Sequence, residues 1–259
     1  MPGVDLSVDG PVATLTLQRP EVLNALDDEV RRGLDRTLGD LEERDEVRVV
    51  VFRGAGTTFS AGADLRATAY PPLEGTWTQR RRATGTWQRL LERFDRTPQV
   101  TVAALRGHVV GGAALLAAAC DLRIATDDTV LRIPELALGI PLTWAGIPLL
   151  VREVGLPTTR DWVMTCRSVH ADELLRTGYA QRVAPADELD AAVAACVAEL
   201  VTVPAGPLAM TKAMTSAIGR THPAMVAGWG DADLQLWSFG EPEGRDAARD
   251  YLRRLREGR

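Results

Sequence analysis

Ala104-Leu105-Arg106-Gly107-His108-Val109-Val110-Gly111-Gly112-Ala113-Ala114-Leu115 runs on to Cys120-Asp121-Leu122-Arg123. The stretch opens at the end of an apolar run, Val100 to Leu105, which is short enough for a buried strand and is ended by Gly107. Gly111-Gly112 then starts an Ala- and Leu-rich helix that reaches Cys120. A helix beginning there leaves free N–H groups and the positive end of its dipole at Gly112. Two residues without side chains let a ligand come close to that backbone. The same pair also suits tight helix–sheet packing, so alone it does not separate a binding site from a packing contact.

Upstream, Val12, Thr14 and Thr16 alternate with Ala13, Leu15 and Leu17, a strand pattern that Arg19-Pro20 ends. Asn24 or Asp27 caps the next helix, whose Leu26, Val30, Leu34, Leu38 and Leu41 recur at helical spacing. Val47 to Phe52 is a β-branched run that predicts a buried strand. It leads through a loop, Gly54-Ala55-Gly56, into Phe59-Ser60-Ala61-Gly62-Ala63-Asp64-Leu65. Residues 66–98 read as a helical insertion, interrupted by Pro71-Pro72 and carrying Arg80, Arg81, Arg82, Arg89, Arg93 and Arg96.

Downstream, Asp121 to Ala125 and Val130 to Ile133 predict two short strands. From about Pro157 the pattern is mostly helical, with a strand-like break near Ala180 to Val183, and the tail from about Pro204 is helices parted by Gly and Pro. Strand, strand, helix, repeated with short connections, predicts a layered α/β core, residues 1–200, followed by a helical region, 201–259. No period repeats, and no low-complexity linker divides the chain.

The composition narrows the function classes. With 259 residues and 46% hydrophobic side chains, the chain can bury a sizeable core. A net charge of -5 argues against broad nucleic-acid binding. Cys120, Cys166 and Cys196 are odd in number and far apart, and the histidines lack ligand spacing, so neither a disulfide framework nor a zinc site is expected. The opening MPGVDLSVDG has no basic region followed by an apolar run, and no apolar stretch is long enough to span a bilayer; a cytoplasmic protein is the expectation. Gly54-Ala55-Gly56 fails as a dinucleotide fingerprint, because Phe59 stands where its third glycine belongs. GxxxxGK[ST], GxSxG and HExxH are all absent.

Taken together, residues 59–65, residues 104–123 and Ile133-Pro134-Glu135 with Leu138-Gly139 resemble the crotonase (enoyl-CoA hydratase/isomerase) superfamily in order and spacing over residues 12–185. Gln18-Arg19-Pro20-Glu21 with Asn24-Ala25-Leu26, and Pro207-Leu208-Ala209 in the tail, are similar too. The resemblance implies a spiral of ββα units with a C-terminal helical trimerisation region, assembling as a homotrimer or as a hexamer made of two trimers. It implies an acyl-coenzyme A thioester as substrate, with no covalently bound cofactor and no metal. The thioester oxygen is expected to be held by the N–H groups of Ala63 and Gly112, and preorganised donors of this kind are worth roughly 3–4 kcal/mol each. Ala61, Asp64 and Leu65 are the expected contacts to the adenine end of CoA, although the same residues also read as a loop-to-helix turn capped by Asp64. Arg19, Arg66 and Arg80–Arg82 are candidate partners for its negative charges, unless the arginine run is simply a solvated face. Arg254 or Arg256 in the closing helix is a candidate contact to a neighbouring subunit's CoA. Gly111 and Leu115 are expected beside the acyl group; Trp144, next to Gly146, either walls the acyl pocket or belongs to the core.

One departure bears on the reaction. Hydratases of the family use two glutamates; Glu135 keeps the second, while Leu115 stands at the first. Two carboxylates suit hydration because they share acid and base roles, and leucine can neither hold water nor move a proton. A single carboxylate still suffices to carry a proton from C2 to C4 of a 3-enoyl thioester. The expectation is therefore an isomerase with Glu135 as shuttle rather than a hydratase. The alternatives are an acyl-CoA-binding protein without catalysis, and a decarboxylase or hydrolase using His108.

Overall fold

In the computed structural model of the chain, residues 3–65, 75–222, 228 and 230–257 are described. Arg66 and the Pro71-Pro72 pair lie outside them.

Two sheets carry the fold. The larger has strand order β1-β2-β3-β4-β6-β9, built from β1 (Val4–Asp9), β2 (Val12–Leu17), β3 (Val49–Gly54), β4 (Val100–Leu105), β6 (Leu122–Thr126) and β9 (Arg182–Ala184). β1 and β2 form an antiparallel hairpin, and every later neighbour pairs parallel. The smaller sheet has order β5-β7-β8, from β5 (His108–Val110), β7 (Val130–Arg132) and β8 (Ser168–His170). After β3 the chain twice places one strand in the large sheet and the next in the small one (β4 then β5, β6 then β7); β8 then joins the small sheet and β9 the large.

The helices are α1 (Asp28–Glu42), α2 (Trp77–Thr84), α3 (Thr86–Arg96), α4 (Gly112–Ala118), α5 (Gly146–Thr165), α6 (Ala171–Arg176), α7 (Leu189–Thr202), α8 (Ala205–Arg220), α9 (Asp231–Gly240) and α10 (Pro242–Arg256). The central strands β3 and β4 are covered on both faces, which is why they read as nearly unbroken apolar runs. Val50 and Phe52 face the main core, together with Leu34 and Leu38 of α1 and the whole of α4. Val49 and Val51 face the other way, against Leu189, Val193 and Cys196 of α7.

Several sequence expectations change here. Asp27, not Asn24, caps α1, its carboxylate accepting the Val30 N–H at 2.8 Å. Asn24 is buried instead, and its amide donates to the carbonyls of Ala55 and Thr58. The helix after Gly111 ends at Ala118, short of Cys120. The helical stretch expected from Pro157 begins at Gly146, and Pro157 merely follows a break at Gly155 (φ 79°). β1, β5 and β8 were not expected: β1 is a mostly exposed edge, and the other two are three residues long. Lys212, the single lysine, is buried where α8 meets the sheet; its ammonium donates to Gln99 O at 2.5 Å and pairs with Asp121 at 2.8 Å.

Candidate active site

Three separated segments meet beside the first turn of α4. The first is the loop 59–65. Ser60 N donates to His108 O (3.0 Å) and Val110 N to Ser60 O (3.1 Å), so the loop runs parallel to β5. Two residues on, Leu26 N donates to Gly62 O and Asp64 N to Leu26 O, both at 2.8 Å. Such a parallel bridge uses the carbonyl before Ala63 and the amide after it. Ala63's own N–H is thereby turned to the opposite side, and Ala63 lines a cavity. The buried Ser60 hydroxyl braces the loop, donating to Asn24 O (2.7 Å) and accepting from Gly62 N (3.1 Å).

The second segment is Gly111-Gly112. Gly111 takes φ 54°, a left-handed geometry that a side chain resists, and its N–H donates to Arg132 O at 2.8 Å. Gly112 is the first residue of α4, so its N–H has no partner within the helix. Val110, Gly111 and Gly112 line the same cavity as Ala63.

The third is Glu135, at the start of the 3-10 turn Leu136–Leu138. Its carboxyl lies against Gly111: a Cβ placed there would stand 2.6 Å from Oε1. Oε2 is buried and has no hydrogen-bond partner among the described residues. Burial pushes the carboxyl up to about 7. Among the described residues Asp28 is the other acid on the cavity wall; it is exposed and already paired with Arg31 and Arg32. The structure thus brings together one carboxyl that exchanges protons near neutral pH and two backbone segments with N–H groups to spare.

The cavity measures about 700 Å³. Its wall is mainly apolar and includes Leu26, Leu65, Leu115, Leu142, Trp87 and Trp144, with Leu252 and Leu255 of α10 closing one side. Leu115 is 1% exposed and packs against Leu142 and Gly146. Trp144 lies on Gly112, where a Cβ would meet its Cζ3 at 2.2 Å, and stacks on Trp87 with ring centroids 4.8 Å apart.

Of the residues expected to meet CoA, Ala61 and Leu65 lie on the cavity wall. Asp64 is turned to Arg19 (3.4 Å). Arg19 is itself engaged with Asp27 (2.8 Å) and Ala25 O (2.8 Å), so its guanidinium braces the α1 entry. Arg81 pairs with Asp233 at 3.0 Å. Arg66 lies outside the described residues.

Sequence reading missed Trp87, Asp231 and Tyr251. Trp87 sits in an arginine-rich stretch and gave no distinct signal. Asp231 accepts the Ala145 N–H across 86 positions, and Tyr251 joins the cavity from α10; neither contact leaves a local pattern.

A family model described as enoyl-CoA hydratase/isomerase matches residues 8–236. The short-chain-enoyl-CoA hydratase of Clostridium acetobutylicum is 32% identical over 188 residues, covering 72% of this chain and 70% of that protein. Among solved structures, an enoyl-CoA hydratase/isomerase from Xanthobacter autotrophicus Py2 superposes with a TM-score of 0.86 at 28% identity, over 98% of this chain and 93% of that one. A Thermobifida fusca structure in complex with CoA superposes with a TM-score of 0.78 at 32% identity, over 98% and 95% of the two chains.

Proposed function

The chain belongs to the enoyl-CoA hydratase/isomerase family, and from that premise we propose that it isomerises a 3-enoyl-CoA to the 2-enoyl-CoA, with Glu135 as sole proton carrier. The observation that carries this reading is the Glu135 carboxyl: buried, with one oxygen unpartnered, pushed up to about 7, and no second carboxylate at position 115.

The thioester enters the cavity with its carbonyl oxygen between the N–H groups of Ala63 and Gly112. Ionised Glu135 takes a proton from C2. The C–H electron pair moves toward the carbonyl and forms a dienolate, whose negative oxygen the two N–H donors stabilise. Glu135, now protonated, returns the proton to C4, and the double bond shifts from C3–C4 to C2–C3. No atom is gained or lost. A carboxyl near 7 suits both halves, since neither its charged nor its neutral form is scarce at neutral pH. Apolar Leu115, Leu142 and Trp144 keep water from the dienolate. Ala61 and Leu65, on the wall of the same cavity, are assigned to the CoA end in this proposal.

The test is product analysis with the purified protein on 3-enoyl and 2-enoyl thioesters. Isomerisation that vanishes in Glu135→Gln supports the proposal; an unchanged rate in that variant rejects it. The relatives' hydratase names favour a second reading, hydration of the 2-enoyl thioester with Glu135 alone, and a 3-hydroxyacyl-CoA product would establish it. The subunits are proposed to assemble as trimers through the C-terminal helices, where Met210, Met214 and Ile218 form an exposed apolar row on α8.

A further inference from the structure

The segment 142–146 lies as a shelf across the first turn of α4. Trp144 stands on Gly112, and Gly146 stands on Leu115, whose Cδ1 would be 2.8 Å from a Cβ at 146. The shelf is built on two consecutive left-handed residues that are not glycine, Trp144 (φ 62°) and Ala145 (φ 58°). L-residues resist that geometry, so something must hold it. A tight bond inside the turn, Gly146 N to Thr143 O at 2.9 Å, is one restraint. The other comes from 86 residues away: the Asp231 carboxylate accepts the Ala145 N–H at 2.6 Å. Asp231 is 7% exposed, so its bond is made out of water, where losing an acceptor is costly.

The first turn of α9 grips a second element as well. Thr84 Oγ1 of α2 reaches Ala232 O (3.5 Å), and Arg81 pairs with Asp233 (3.0 Å). α2 leads directly into α3, which carries Trp87. The two stacked indoles thus belong to chain segments that are both fastened to residues 231–233. An acid at a helix start is ordinarily explained by the helix dipole. The dipole accounts for an acid at that position but not for its bond to the amide of a strained turn 86 positions away.

We propose that Asp231 is a positioning residue that fixes the Trp144–Ala145 turn, and that the Trp144–Trp87 pair it holds in place limits the size of the acyl group accepted beside Gly112. The proposal rests on reading the cavity as the acyl-CoA site. It places the selectivity of the site under the control of α9 rather than of the loop and helix that carry the N–H donors. With the shelf fixed, compact acyl groups fit; with it loosened, the limit relaxes while the CoA end is untouched.

The test compares wild type, Asp231→Asn, Asp231→Ala and Trp87→Leu. Near-UV circular dichroism reads the coupled indoles, and calorimetry reads the binding of free CoA and of saturated acyl-CoA thioesters from acetyl to decanoyl. Asp231→Asn retains an acceptor oxygen and is expected to keep both the indole signal and the preference for short chains. Asp231→Ala is expected to lose the indole signal and to reduce the short-over-long preference about tenfold, with free CoA affinity moving less than about twofold. Trp87→Leu leaves Asp231 in place and is expected to relax the preference likewise, so the proposal stays testable if Asp231→Ala does not fold. An unaltered preference in both Asp231→Ala and Trp87→Leu, or Asp231→Asn behaving like Asp231→Ala, overturns it. A wild-type protein that binds no thioester rejects the acyl-CoA reading of the cavity, and the selectivity role with it. Normal wild-type binding with unaltered variants rejects the clamp alone.

Discussion

Burying the Glu135 carboxyl favours its neutral form, so the folded protein binds this proton up to about pH 7, whereas the unfolded chain releases it near 4.5. The linkage sign follows: between those values the folded state holds more protons than the unfolded one, and stability declines as pH rises. Replacing the acid by a neutral amide removes that cost. Glu135→Gln is therefore expected to be more stable than wild type by an amount that grows from about pH 4.5 to about pH 7 and then levels off, on the order of 3 kcal/mol at the plateau. Denaturant melts across that pH range measure it; a constant difference refutes the buried-carboxyl account. Activity moves the opposite way. The ionised form is the base, so kcat/KM of the wild type is expected to rise with pH and flatten above about 7. In Glu135→Gln the rate is expected to drop by roughly a thousandfold, while calorimetry still detects acyl-CoA binding.

α4 is short, and all seven of its residues are buried. Its first turn is pinned between the loop at Ala63 and the shelf at Trp144. That packing leaves no room for a side chain at 112, so Gly112→Ala is expected to push the indole away and abolish turnover, with the change visible in near-UV circular dichroism. Leu115→Glu tests the other side of the same turn. It places a carboxyl at the position proposed to match the first glutamate of the family's hydratases, and 3-hydroxyacyl-CoA is expected to form from the 2-enoyl thioester. The cost is a charge set among Leu142 and the shelf, about 3 kcal/mol of stability. α10 is fastened in another way. Its Gly244 lies on Gly139 (φ 71°), just past Glu135, so closely that a Cβ at 139 would stand 2.4 Å from the Gly244 Cα. Gly139→Ala is expected to lever α10 from the cavity and destabilise the protein by roughly 3 kcal/mol, through both clash and backbone strain. A fall in melting temperature together with loss of thioester binding would be the signature.

At the level of the whole molecule, the chain winds between two sheets and then folds its last helices back onto the site it has already built. α9 supplies Asp231, and α10 supplies the wall around Tyr251 and Leu252. α8 is different: Met210, Met214 and Ile218, spaced four apart, all face outward at 65–70% exposure. A row of that kind is a candidate subunit contact. Sedimentation velocity is expected to give the mass of three chains, or of six, and Met214→Asp to shift the distribution toward single chains. Wild type running as a monomer would remove the trimer from the account.

The sequence by itself determined the strand β2, the face of α1 and the start of α4, because each is written in neighbouring residues: alternation, helical spacing, a glycine pair. Ala63, Gly112 and Glu135 were singled out by resemblance, and the structure lines one cavity with all three. Resemblance to the family also marked Leu115 as standing at the first-glutamate position, a reading that the Leu115→Glu experiment tests. Tertiary structure alone decided what surrounds these groups. The Asp27 cap prevailed over Asn24 because Asn24 was needed elsewhere, on Ala55 and Thr58. Arg19, expected at the ligand, pairs with both Asp27 and Asp64 at the start of α1. The raised Glu135 carboxyl depends on burial, which no local pattern records. The shelf at Trp144 depends on Trp87 and Asp231, separated from it by 57 and 87 positions in the chain. Local propensity acts over a turn or two; desolvation and packing act through space, and they turned a familiar motif into this particular site.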